Sequence, residues 1–151
     1  MNRHLVCCRW FLVGVGTVLL ATSSLKLLAL TTPAIELKRI NPLLNIANEH
    51  ALFAAMIVES GAGVYLLLRR SVWNCLWLIA CLSNCLLAYR IALKMVGGDP
   101  NCGCFGIATQ WLPYLGRYEH LISMGMIVAM LAGSSLLIWK HPHVRADCNR
   151  H

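Results

Sequence analysis

Charge is what this sequence lacks when set beside a soluble domain. Of its 151 residues only 13% are Asp, Glu, Lys or Arg, while 58% are hydrophobic. Soluble domains carry roughly 25% charged residues and about 45–50% apolar ones. A chain this short cannot hide so much apolar surface in one water-facing core, so the shortage of charge excludes an ordinary soluble domain. The mean hydropathy of +0.64 agrees. The sequence also lacks an internal repeat and a low-complexity tract, and it shows no inverted repeat or pair of broken helices. Four spans without such a repeat give little support to a small-molecule transporter, although a dimer could form a path. Acidic residues are the scarcer charge: six Asp and Glu against 13 Lys and Arg give a net charge of +7. In a soluble protein that excess would suggest nucleic acid. Here the basic residues sit in short flanks between apolar runs, where they act as topology signals, so no nucleic-acid partner is expected.

What is present is a set of long hydrophobic runs. They predict an all-α, integral membrane four-helix bundle, a single domain over residues 1–151, with spans at about 10–30, 52–68, 72–96 and 121–139. Each approaches the roughly 20 residues needed to cross hydrocarbon. No room remains for a nucleotide-binding fold or a large lumenal enzyme. Ala21-Thr22-Ser23 loosely imitates a signal cleavage site, but apolar character resumes at Leu27, Leu28 and Leu30, and the segment is expected to stay as a true span. Cys7 has no apolar region before it, as a lipoprotein cysteine would. With Cys8 it reads as a reduced pair near the cytoplasmic face.

Basic residues set the orientation. Arg3, Arg9, Arg69, Arg70, Lys140, Arg145 and Arg150 lie on one side, and Lys38, Arg39 and Arg117 on the other. The bias puts both termini in the cytoplasm and the loops at about 31–51 and 97–120 outside, in the periplasm if the membrane is a bacterial inner membrane.

The second outward loop carries the most informative segment, Gly97-Gly98-Asp99-Pro100-Asn101-Cys102-Gly103-Cys104-Phe105-Gly106. It turns on Gly, Asp, Pro and Asn and presents two cysteines one residue apart. Gly103 supplies the unusual backbone angles that so small a disulfide ring demands. Such a bridge would be strained, hence more oxidising and more readily exchanged than a structural one. Cys102 and Cys104 are therefore the candidate redox pair. Two other readings stay open. The cysteines could lock the loop, or they could bind zinc with His50 and His120, each close to an outward helix end, although the usual ligand spacing is missing and no metal site is expected. Cys75, Cys81, Cys85 and Cys148 are expected to be packing residues.

Three ionisable residues interrupt the apolar runs: Lys26, Glu59 and Arg90. Charges in hydrocarbon are costly and by default mark a site or a pairing partner. Lys26 is expected about one turn below the outward end of its span, Glu59 about two turns below, and Arg90 a little under two. All three then form a supporting polar cluster in one layer beneath the Cys102/Cys104 loop. They could be a structural ion pair, Glu59 with Lys26 or with Arg90. They could instead stabilise a cysteine thiolate, or hydrogen-bond the head group of a quinone or substrate. Glu119 and His120, expected at the start of the fourth span, could add a proton-transfer group, or Glu119 could simply favour a helix N-terminus. Gly14, Gly16, Gly61, Gly63, Gly125 and Gly133 are expected to let helices approach closely. Trp10, Trp73, Trp111, Tyr114 and Trp139 fall near interfaces, as aromatic belts do.

These residues resemble the methylamine utilisation protein MauE family, among the DoxX-like membrane proteins. The specific match is Cys102-Gly103-Cys104-Phe105-Gly106 after the third of four spans. Shorter matches are Ser23-Ser24-Leu25-Lys26-Leu27, Glu59 with Gly61, and Ala88-Tyr89-Arg90. The resemblance implies a membrane bundle that works with thiol–disulfide chemistry outside the cytoplasm. In methylamine-utilising bacteria the namesake is associated with maturation of a disulfide-rich dehydrogenase subunit, alongside a thioredoxin-like partner. The chain has no Cys-x-x-Cys of its own, so redox work would pass electrons to or from such a separate partner. The alternative is a non-catalytic DoxX-like scaffold or assembly subunit.

Overall fold

The computed structural model describes residues 3–31, 40, 41, 43–68, 71–97 and 113–140. Four helices account for nearly all of them: α1 (Arg3–Thr31), α2 (Asn48–Leu68), α3 (Val72–Met95) and α4 (Pro113–Lys140). All four are long and apolar enough to cross a membrane, over Val6–Thr31, Asn48–Leu68, Val72–Met95 and Leu121–Lys140. The all-helical membrane architecture expected from the sequence is what the chain adopts. In hydrocarbon a helix is the one spanning element that satisfies its own backbone without closing into a barrel, and here no helix is interrupted.

Two helices start earlier than hydropathy suggests. α2 begins at Asn48, not Leu52, and α4 begins at Pro113, eight residues before the expected 121. Proline suits the first turn of a helix, where its missing N–H would have no partner anyway. The second long loop is correspondingly shorter than 97–120. Glu119 is then six residues inside α4, beyond the first turn where a helix N-terminus favours an acid.

The helices pack in antiparallel neighbours, α1 with α2 and α3 with α4. One end of the bundle holds the start of α1, the end of α2, the start of α3 and the end of α4; it is called the terminal end. The opposite end, where the two long connections emerge, is the loop end. A purely apolar core fills the terminal half: Leu12, Val15 and Leu19 of α1, Ala62 and Leu66 of α2, and Cys75, Leu76 and Ile79 of α3, with Met130, Leu137 and Ile138 of α4 against it. Trp10 and Trp139 stand outward near that end, and Trp73 meets Trp77 edge-on with centroids 6.2 Å apart, consistent with an interfacial belt.

Glycines set the close approaches, though only some of those expected. A Cβ on Gly63 would lie 2.9 Å from Leu20 Cγ and 3.1 Å from the Gly16 carbonyl, so α1 and α2 touch backbone to backbone here. A Cβ on Gly133 would lie 2.7 Å from the Phe11 ring, a side-chain contact and not a backbone one. Gly14, Gly61 and Gly125 have nothing within 4 Å of a would-be Cβ and hold no helix close. At the end of α3, Gly97 adopts φ +72°, the left-handed conformation that ends a helix at least cost.

Candidate functional site

The buried polar side chains gather away from the apolar core. Among the described residues, Ser23, Lys26, Asn41, Glu59, Ser83, Arg90 and Ser123 are buried between the middle of the bundle and its loop end. Ser134 alone is buried towards the terminal end, and it bonds back to the Leu131 carbonyl of its own helix at 3.0 Å.

The centre of this polar half is an ion pair across α1 and α2. Lys26 Nζ donates to Glu59 Oε1, with both side chains more than nine-tenths buried. The Thr22 hydroxyl, one turn before Lys26, lies 3.2 Å from Glu59 Oε2 and shares its proton with the Leu19 carbonyl at 3.0 Å. Ser23 donates to the Met56 carbonyl at 3.2 Å and so ties α1 to the backbone of α2. Both carboxylate oxygens of Glu59 are thus engaged from α1. Spacing of one helical turn puts Thr22 and Lys26 on the same face, and the Gly16/Gly63 approach brings that face within reach of α2.

Glu59 is deeper than the sequence suggests. It lies 11 residues after Asn48 and nine before Leu68, about midway along its helix instead of two turns below the end. Lys26 is five residues from the end of α1, and Arg90 five from the end of α3. Of the two partners the sequence offered for Glu59, the structure pairs it with Lys26. Arg90 is buried on α3, 8% exposed.

A second polar knot closes the loop end, built on a residue that sequence reasoning missed. Asn41 is 4% exposed. Its side-chain amide donates to the Tyr89 hydroxyl at 2.8 Å and to Asn48 Oδ1 at 3.2 Å. Its Oδ1 accepts from the backbone N–H groups of Leu43 at 3.0 Å and Leu44 at 3.2 Å. The knot fastens the α1–α2 connection to α3, at the residue next to Arg90. The signal was the run Asn41, Asn45 and Asn48, since asparagine side chains close local backbone turns, but nothing in it named Tyr89.

Cys102, Cys104 and the side chain of His120 lie outside the described residues, as do Cys148 and the side chain of Glu119. His50 is exposed on the first turn of α2, with Nε2 3.9 Å from Glu49 Oε1. Among the described residues no three His, Cys, Asp or Glu side chains gather as metal ligands. The other cysteines divide. Cys8 and Cys75 are buried as packing residues, whereas Cys81 and Cys85, expected to pack, are exposed on α3. That face of α3 turns away from its neighbours in the bundle.

Compared with known families, the chain matches methylamine utilisation protein MauE over residues 3–140. It belongs to the MauE family. Comparison with curated proteins finds no match, nor does comparison with solved structures. The matched range takes in all four helices, the Lys26–Glu59 pair, Asn41 and the Cys102-Gly103-Cys104 segment, so the polar half described above is part of a MauE-family fold.

Proposed function

We propose that this MauE-family protein assists thiol–disulfide chemistry on an extracytoplasmic partner, with Cys102 and Cys104 as the exchanging pair. The observation that carries the proposal is the Cys102-Gly103-Cys104-Phe105-Gly106 motif, in the segment joining α3 to α4 of a MauE-family chain. In this reading both termini are cytoplasmic and the motif lies outside, in the periplasm of a bacterium. The bias of basic residues towards the terminal end supports that orientation.

The chemistry needs two exchanges. A thiolate of the maturing protein attacks the Cys102–Cys104 bridge, forming a mixed disulfide and releasing one cysteine of the pair as a thiolate. A second substrate thiolate then attacks the mixed disulfide and frees the other cysteine. The substrate gains a disulfide, and the pair takes up the two electrons and two protons it lost. A thioredoxin-like protein carrying a disulfide accepts these in turn and restores the bridge. The Lys26–Glu59 pair ties the loop end of α1 to the middle of α2, and the Asn41–Tyr89 bond ties the α1–α2 connection to α3. A quinone near Lys26 or Arg90 is an alternative electron acceptor.

The test uses a chain in which Cys102 and Cys104 are the only cysteines, labelled in intact cells with a membrane-impermeant maleimide. Labelling that appears only after reduction is the expected result. Labelling only after lysis would overturn the orientation. Cys102→Ser and Cys104→Ser should each abolish disulfide formation in the partner while leaving the protein inserted. Normal partner disulfides in both variants would sink the proposal. Loss of a complex without any redox defect would favour an assembly subunit.

A further inference from the structure

The connection into α2 turns apolar side chains outward on a backbone that needs little water. Ile40, Leu44 and Ile46 are 67%, 47% and 41% exposed. Between them the chain closes on itself. The Asn41 N–H donates to the Ile46 carbonyl at 2.7 Å, and the Asn45 N–H donates to the Asn41 carbonyl at 2.9 Å. Ile40 pairs with Ala47 across the turn. Asn45 makes the reversal with φ 53°, which asparagine tolerates better than most residues. With the two N–H groups held by Asn41 Oδ1, the backbone donors of residues 41, 43, 44 and 45 are all satisfied inside the turn.

Open backbone groups are what keep irregular segments out of lipid. A loop in water has no need to close them, and a docking protein brings donors and acceptors of its own. A segment with the donors of residues 41, 43, 44 and 45 closed and its branched apolar side chains outward fits hydrocarbon instead. Two cations, Lys38 and Arg39, precede it in the sequence and complement anionic head groups. We propose that Ile40, Asn41 and residues 43–47 form an interfacial membrane anchor at the loop end, with Ile40, Leu44 and Ile46 inserted among the outermost segments of the acyl chains. The anchor is independent of the cysteine chemistry.

The test places a single cysteine at Leu44 or Ile46 in the full chain freed of its own cysteines and labels it with an environment-sensitive nitrobenzoxadiazole dye. The protein is reconstituted in phosphatidylcholine vesicles, with and without phosphatidylglycerol. Emission should shift to the blue and lose intensity to spin-labelled lipid, more to a shallow label than to a deep one. Phosphatidylglycerol should increase the quenching, and Lys38→Gln with Arg39→Gln should remove that increment. Water-like emission indifferent to the lipid quencher would overturn the proposal. A blue shift without lipid quenching would overturn it too, by showing that protein covers the segment. In the unaltered chain, a photoactivatable lipid with its reactive group near the head group should cross-link within residues 40–47. Cross-links confined to the four helices would contradict the anchor.

Discussion

The two halves of the bundle are held together by different physics. The terminal half is apolar but for Ser134, with Leu76, Ile79 and Cys75 fully buried in its core. The loop half is pinned by Lys26–Glu59, by Thr22 and Ser23, and by the Asn41 knot. In water the first half would be the stronger. In lipid the surroundings are as apolar as leucine, so burying an aliphatic side chain gains only packing. A polar contact is then favoured because leaving either partner alone in hydrocarbon is worse. The difference teaches that directional contacts fasten α1 to α2 and the connection between them to α3, while the apolar half fills the space between helices.

That contrast can be broken most forcefully at Glu59. Glu59→Leu leaves the Lys26 ammonium buried and should destabilise the protein by about 3–5 kcal/mol. Lys26→Met combined with Glu59→Leu should recover most of the loss, as read from reversible unfolding in bicelles. Singles and double that all unfold alike would remove the pair from its central place. Leu76→Ala tests the other half. With no transfer from water to lose, only the cavity and its lost contacts count, and a change of about 2 kcal/mol is expected, at the low end of the range for soluble cores. A loss as large as that at Glu59 would erase the contrast. The finest comparison is between glycines two residues apart. Gly63→Ala forces Leu20 and the Gly16 carbonyl aside and should cost about 1–2 kcal/mol. Gly61→Ala and Gly14→Ala meet open space and should instead stabilise the helices by about 0.5–1 kcal/mol, measured in the same unfolding series.

The four spans were legible because hydrocarbon imposes a length and composition that no neighbour can override. The first two turns of α4 were not, since Pro113, Gly116, Arg117, Glu119 and His120 interrupt the hydropathy although the backbone is helical through them. The three buried charges stood out for the same reason as the spans, as costly exceptions within apolar runs. Choosing Lys26 over Arg90 as the partner of Glu59 required the rotation of each helix about its axis, which neither hydropathy nor spacing carries. The glycines illustrate that gap. Gly14 and Gly16 are about 200° apart around α1, so one meets α2 and the other faces away. Asn41 was read past because its role depends on Tyr89, 48 residues later in the chain. The Cys-Gly-Cys motif was the reverse case, conspicuous in sequence and outside the described residues.

The mid-span position of Glu59 bears on how the protein enters its membrane. Delivering one charged side chain to the centre of a bilayer costs roughly 3 kcal/mol on the scale that governs insertion by the translocon. Neither α1 nor α2 escapes a share of that cost when it partitions alone. When the two enter as a helical hairpin, the ammonium and carboxylate neutralise each other before either must face lipid. The ion pair therefore favours entry of α1 and α2 as one hairpin, in which neither charge meets lipid without its partner.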